Sequence, residues 1–151
     1  MKPEALAGLL KRLYENFDVS KFPDRLKVQK FVYILQNRGI NLGYLFNFYL
    51  YGPYSTDLTR TAFQVEDYPS MREVKFVKPE TEKKFEEILS KLRNHKDDVR
   101  WLEGASSILF LSEMGYGSDR IYQQLAKKKN PFKRDEIDKI WQDLKQWGWI
   151  E

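Results

Sequence analysis

Residues 25 to 60, RLKVQKFVYILQNRGINLGYLFNFYLYGPYSTDLTR, constrain the fold more than any other stretch of the chain. Val28, Phe31, Val32 and Leu35 recur at helical spacing, so they predict an amphipathic helix after Pro23 with one buried stripe. Gly39 ends it, because glycine tolerates the left-handed conformation that closes a helix. The run Tyr44 to Tyr51, YLFNFYLY, is almost wholly aromatic or aliphatic, which predicts a strand buried on both faces. Gly52-Pro53 then reads as a turn. Ser55 has the side chain of an N-cap, and Asp57 is placed to meet the positive end of a third helix over 56–66, with Leu58, Ala62 and Val65.

The flanking sequence is largely helical in pattern. Leu6, Leu9, Leu10, Leu13 and Phe17 predict a first helix over 3–17, opened by Pro3. Residues 73–77, EVKFV, alternate and predict a second strand. Phe85, Ile88, Leu89 and Leu92 mark one helix beyond 79. Residues 99–114 mark another, apolar all round between Ile108 and Leu111 and therefore central. Ser118 is the expected cap of a short helix bearing Ile121, Tyr122 and Leu125. A basic loop containing Pro131 leads to a last helix with Ile137, Ile140, Trp141, Leu144 and Trp147. After Gly148, Trp149-Ile150 is expected to add a terminal strand. The expected architecture is mainly α (α+β), one helical domain over 1–151 with a small sheet. Its weak internal boundary lies near 78–80, and its last third has the outline of a winged-helix unit.

At 151 residues, with 42% apolar and 15% aromatic side chains, the chain can bury a real core. No stretch approaches the roughly 20 apolar residues of a membrane span, and the charged, amphipathic N-terminus is unlike a signal peptide. A cytoplasmic protein without membrane contact is the expectation. With no cysteine and a single histidine, His95, disulfides, thiolate chemistry and Cys- or His-rich metal sites fall away. No metal and no cofactor are expected.

Catalytic patterns are weak. Asp97-Asp98 are adjacent, so on a helix their side chains diverge by about 100°, and capping suits them better than sharing a proton. Glu66-Asp67 fall at a helix end before Pro69. His95 sits in a polar junction with no partner visible in the sequence. Neither GYGSD nor GASSI has the G-x-S-x-G spacing of a nucleophile elbow. The reading is therefore not an enzyme.

Basic and aromatic residues carry more. Formal charge is +4, and eight Lys/Arg face four Asp/Glu within residues 1–39. Lys27 and Lys30 read as the polar side of the second helix, Arg60 as a neighbour beyond the Gly-Pro turn, and Tyr33, Tyr51 and Tyr54 as aromatic companions. Tyrosine beside cations is what protein interfaces favour. These six residues form the candidate partner-binding face, against the plainer reading of a solvated helix face. Lys127, Lys128, Lys129, Lys133 and Arg134 form a second basic spot, where phosphate contacts would fall if DNA were bound. Asp135, Glu136 and Asp138 follow at once and offset that field.

Lys27, Gln29, Lys30 and Tyr33, followed by Tyr51-Gly52-Pro53-Tyr54-Ser55, resemble the shared core of the YwgA-like and SocA-like (Panacea) proteins. There a K-L-Q-K-L-x-Y helix precedes a strand ending in a Y-G-P turn, and here Val28 and Phe31 replace the leucines. The Y-G-P-Y-S sequence is closer to the YwgA-like branch, and the motif covers about 35 residues. The resemblance implies a non-catalytic interaction module, antitoxin-like or a defence-related adaptor, whose partner is a protein such as a toxin. It brings no catalytic residues with it. The alternative is a winged-helix DNA-binding regulator.

Overall fold

The computed structural model describes residues 1–151. Seven α-helices and one two-stranded antiparallel sheet make a mainly α, α+β fold. In chain order they are α1 (Pro3–Leu10), α2 (Phe22–Asn37), β1 (Asn47–Tyr49), β2 (Gly52–Tyr54), α3 (Thr56–Gln64), α4 (Pro79–Leu92), α5 (Val99–Glu113), α6 (Ser118–Ala126) and α7 (Arg134–Gln146). A 3₁₀ turn, Val65–Asp67, extends α3. No helix is long and apolar enough to cross a membrane.

Helices α2 and α5 are the central pair, and β2 packs against both. Phe31, Val32, Ile34 and Leu35 of α2 meet Leu102, Ala105, Ile108 and Leu109 of α5 in one buried cluster that draws on every helix. Asp98 caps α5, its carboxylate accepting from the Trp101 N–H at 2.9 Å, as the adjacent aspartates suggested. Gly39, at φ +98°, closes α2.

Several expectations from sequence need correction. Helix α1 stops at Leu10, and 11–13 form a turn from which Arg12 bonds Glu82 and the Val74 carbonyl. Residues 73–77 are not a strand. Their Phe76 N–H goes to Glu82, only the Val74 N–H reaches backbone across at Gly8, and Val77 is 98% exposed. Ser118 is the first residue of α6, not its cap, and the preceding Gly117 offers no side chain. Trp149-Ile150 form no strand, so α5 to α7 stand without a C-terminal wing. The Trp149 N–H instead closes α7 by bonding the Leu144 carbonyl, and its ring packs edge-on to Trp147.

The largest correction falls on the aromatic run. Only Asn47–Tyr49 is strand, and the chain reverses at Leu50-Tyr51 rather than at Gly52-Pro53, which belong to β2. Leu45, Asn47 and Tyr49 point outward, while Tyr44, Phe46 and Phe48 turn toward the core. A one-sided strand was hidden because two of its outward residues are themselves apolar. Phe48 pairs with Pro53, the non-hydrogen-bonded kind of position that a residue without an N–H fills at no loss.

Candidate functional site

The motif residues on α2 are clamps on the hairpin. Gln29 is buried and grips Ser55 from both sides. Its Nε2 donates to the Ser55 carbonyl at 2.9 Å, and its Oε1 accepts the Ser55 N–H at 2.8 Å. One helix turn thus fixes the start of α3, and Ser55 completes the junction by accepting the Leu58 N–H at 3.3 Å.

Lys30 does the same for the next backbone group upstream, and this overturns its expected place on a polar face. The side chain is 0% exposed, and Nζ donates to the Pro53 carbonyl at 2.7 Å. The carbonyl would otherwise be a buried acceptor without a donor. Lys128, expected in a solvent-facing DNA-contact loop, is also turned inward. Its side chain is 5% exposed and pairs with the equally buried Glu103 at 3.0 Å. Burial, then the neighbouring Lys128, pushes the Lys30 ammonium down to about 7, with Glu103 opposing. Burial likewise lowers Lys128. Two buried amines thus lie near one carboxylate beneath the hairpin, and only Lys128 pairs with it directly. Gly52 is packed against this group: at φ +92°, a Cβ there would lie 2.5 Å from Ser107 Oγ and 3.7 Å from Lys30 Nζ.

An amine titrating near 7 has the reactivity for covalent chemistry. Here it is 0% exposed and donates to a backbone carbonyl, so it holds the hairpin.

Above this clamp, the hairpin and the start of α2 enclose an apolar groove of about 290 Å³, lined by Phe22, Leu26, Tyr49, Leu50, Tyr51 and Tyr54 among others. Phe22 packs edge-on to Tyr51 at 5.4 Å, and Tyr49 edge-on to Tyr54 at 5.6 Å. Leu50, at 64% exposed, and Tyr49, at 51%, stand free at the tip. Arg25 lies beside this edge with its guanidinium over Phe22 at 5.5 Å.

Of the six residues expected on the partner face, Lys30, Tyr51 and Tyr54 come together around this groove. The other three do not join them. Lys27 lies over the Tyr14 ring and pairs with Asp24 and Asp97 at 3.6 and 3.4 Å. Tyr33 is buried near the far end of α2 and donates to Glu113 at 2.9 Å. Arg60 is exposed on α3 and pairs with Asp57 at 2.7 Å. Phe22, Leu26, Tyr49 and Leu50 were missed because their apolar character argued for burial. In the second basic spot Lys127, Lys129, Lys133 and Arg134 remain exposed, with the Arg134 guanidinium over Tyr122 at 4.4 Å.

His95 stacks on Trp101 at 3.9 Å between ring centres, and the Trp101 indole N–H donates to Asp143 at 2.9 Å. These rings close the junction between α4 and α5. No group of three His, Asp or Glu side chains is placed to hold a metal ion.

Compared with family models, curated proteins and solved structures, the chain gives no match.

Proposed function

We propose that the chain is a non-catalytic protein-interaction module, antitoxin-like or an adaptor, that engages a protein partner through the hairpin tip and its groove. The observation that carries this reading is the exposed apolar pair Tyr49 and Leu50 beside a groove walled by Phe22, Leu26, Tyr51 and Tyr54. Exposing them to water is unfavourable, and neither is needed to hold the hairpin, which Gln29 and Lys30 secure from below. An apolar anchor from the partner would fill the groove, with the tyrosine rims excluding water around it. Arg25 at the groove's edge suits an acidic residue flanking that anchor.

Lys30 belongs to this reading as a support, so its replacement tests folding rather than contact. The discriminating variant is Leu50→Asp, which puts a charge at the tip and touches no buried group. Partners cross-linked in native lysate and identified by mass spectrometry should be lost in this variant, while its circular dichroism and melting stay as in wild type. Retention of the same partners by Leu50→Asp would refute the groove as the contact surface.

A further inference from the structure

A second cavity, of about 470 Å³, lies where α2 and α5 both end, away from the hairpin groove. Its walls include Tyr33 and Asn37 from the last turns of α2, Phe46 from the approach to β1, and Phe110 and Glu113 from the end of α5. Two helix C-termini converging on one space bring two negative dipole ends, each equivalent to about half an elementary charge. Neither last turn contains a basic side chain. Arg38, which follows α2, turns away to the Trp149 ring at 5.2 Å. The lining holds one carboxylate and no lysine, arginine or histidine.

That carboxylate is held in place. Tyr33 donates to Oε2 of the exposed Glu113 at 2.9 Å and Asn37 Nδ2 to the same oxygen at 3.1 Å, leaving Oε1 without a donor. Burial, then Glu113 itself, pushes the Tyr33 phenol well above its ordinary range, so it remains a donor. Asn37 Oδ1 is a buried acceptor with no donor. Aromatic rings stand beside this acceptor set: Tyr33 packs edge-on to Phe46 at 5.3 Å and tilted against Phe110 at 5.7 Å.

We propose that this cavity binds an organic cation carrying N–H donors, a guanidinium or a primary ammonium. The carboxylate and both helix ends are of one sign, with the Lys84 ammonium, beside Gly39 at the rim, opposing them. Aromatic rings, carboxylate and helix ends attract positive charge, and the carboxylate oxygen without a donor specifies an N–H donor. A quaternary ammonium would gain the rings and the field but not that bond. The proposal is independent of the hairpin groove.

The test is titration of isotope-labelled protein with ethylguanidinium, n-butylammonium and tetramethylammonium, followed by amide chemical shifts. The first two should give saturable shifts centred on 33–46 and 110–114, and tetramethylammonium weaker ones. Glu113→Gln keeps the shape and an acceptor while removing the charge, and should weaken ethylguanidinium binding about tenfold or more. Glu87→Gln, on the exposed face of α4, is the control and should change nothing. A capped Ala-Arg-Ala peptide presents the same guanidinium as a side chain. Tighter binding of the peptide assigns the site to an arginine of a partner protein, and tighter binding of ethylguanidinium to a free ligand. Absence of saturable shifts, or undiminished binding to a Glu113→Gln protein that melts like wild type, would overturn the proposal.

Discussion

Lys30→Met should change stability by an amount that depends on pH, and the dependence follows from where the ammonium sits. Methionine keeps an unbranched chain of similar volume, so the core around α2 stays filled. The variant loses the bond to the Pro53 carbonyl and leaves that acceptor buried, at a cost of about 1–3 kcal/mol. It also removes a charge that burial opposes. In the folded protein the Lys30 amine titrates at about 7, against 10.5 when free in water. Below pH 7 both folded and unfolded chains carry the proton, and the full penalty of the buried charge is present. Between pH 7 and 10.5 the unfolded chain binds more protons than the folded one, so wild-type stability rises with pH. Integrating the difference from pH 7 to 9 gives about 2 kcal/mol. The variant has no such group, so its stability relative to wild type should fall by about that amount across the interval, whichever protein is the more stable at pH 7. Lys128 and Glu103 are present in both proteins, although in the variant Lys128 loses its like-charge neighbour. Urea unfolding followed by tryptophan fluorescence at pH 7, 8 and 9 measures the gap directly. A gap that stays constant with pH would mean that the buried amine keeps its proton throughout, and the account of the charge cluster would be wrong.

Two further outcomes bear on the same hairpin. Ser55→Ala should lower stability by about 1 kcal/mol, because Leu58 loses its cap while the Gln29 bonds to the Ser55 backbone persist, and denaturant unfolding checks it. Gly52→Ala should lower it by about 2 kcal/mol or more through positive φ and the approach to Ser107. Adding Ser107→Gly should recover about 1 kcal/mol of that loss, and strictly additive effects in the double-variant cycle would sink the steric explanation.

Helix positions were legible in the sequence because the core selects them by period. Phe85, Ile88, Leu89 and Leu92 are buried, as their spacing required, and Asp98 caps α5 as a short acidic side chain at a helix start should. The hairpin was illegible for a different reason. Period 2 is visible only when outward residues are polar, and Leu45, Tyr49 and Leu50 are not. The inward turn of Lys30 and Lys128 was equally hidden, since lysine is exposed by default and its burial depends on a carbonyl and a carboxylate remote in sequence. Only half of the expected partner face converges on the groove because α2 spreads Lys27, Lys30 and Tyr33 over different neighbours.

This division changes what the Lys27–Tyr33 and Tyr51–Ser55 motif can say about function. Gln29 and Lys30 meet backbone atoms of Ser55 and Pro53, so any chain with this helix-hairpin-helix junction has a physical reason to keep those side chains, whatever it binds. Backbone groups are the same for every sequence, and a clamp on them is therefore indifferent to the partner. If the hairpin engages a protein partner, as proposed, discrimination between partners comes from side chains that the clamp leaves free. On this chain those are Tyr49 and Leu50 at the hairpin tip, with Phe22 on the facing helix. Two proteins sharing the motif but differing at these three positions should fold alike and bind differently, because the groove walls change while the junction that supports them does not.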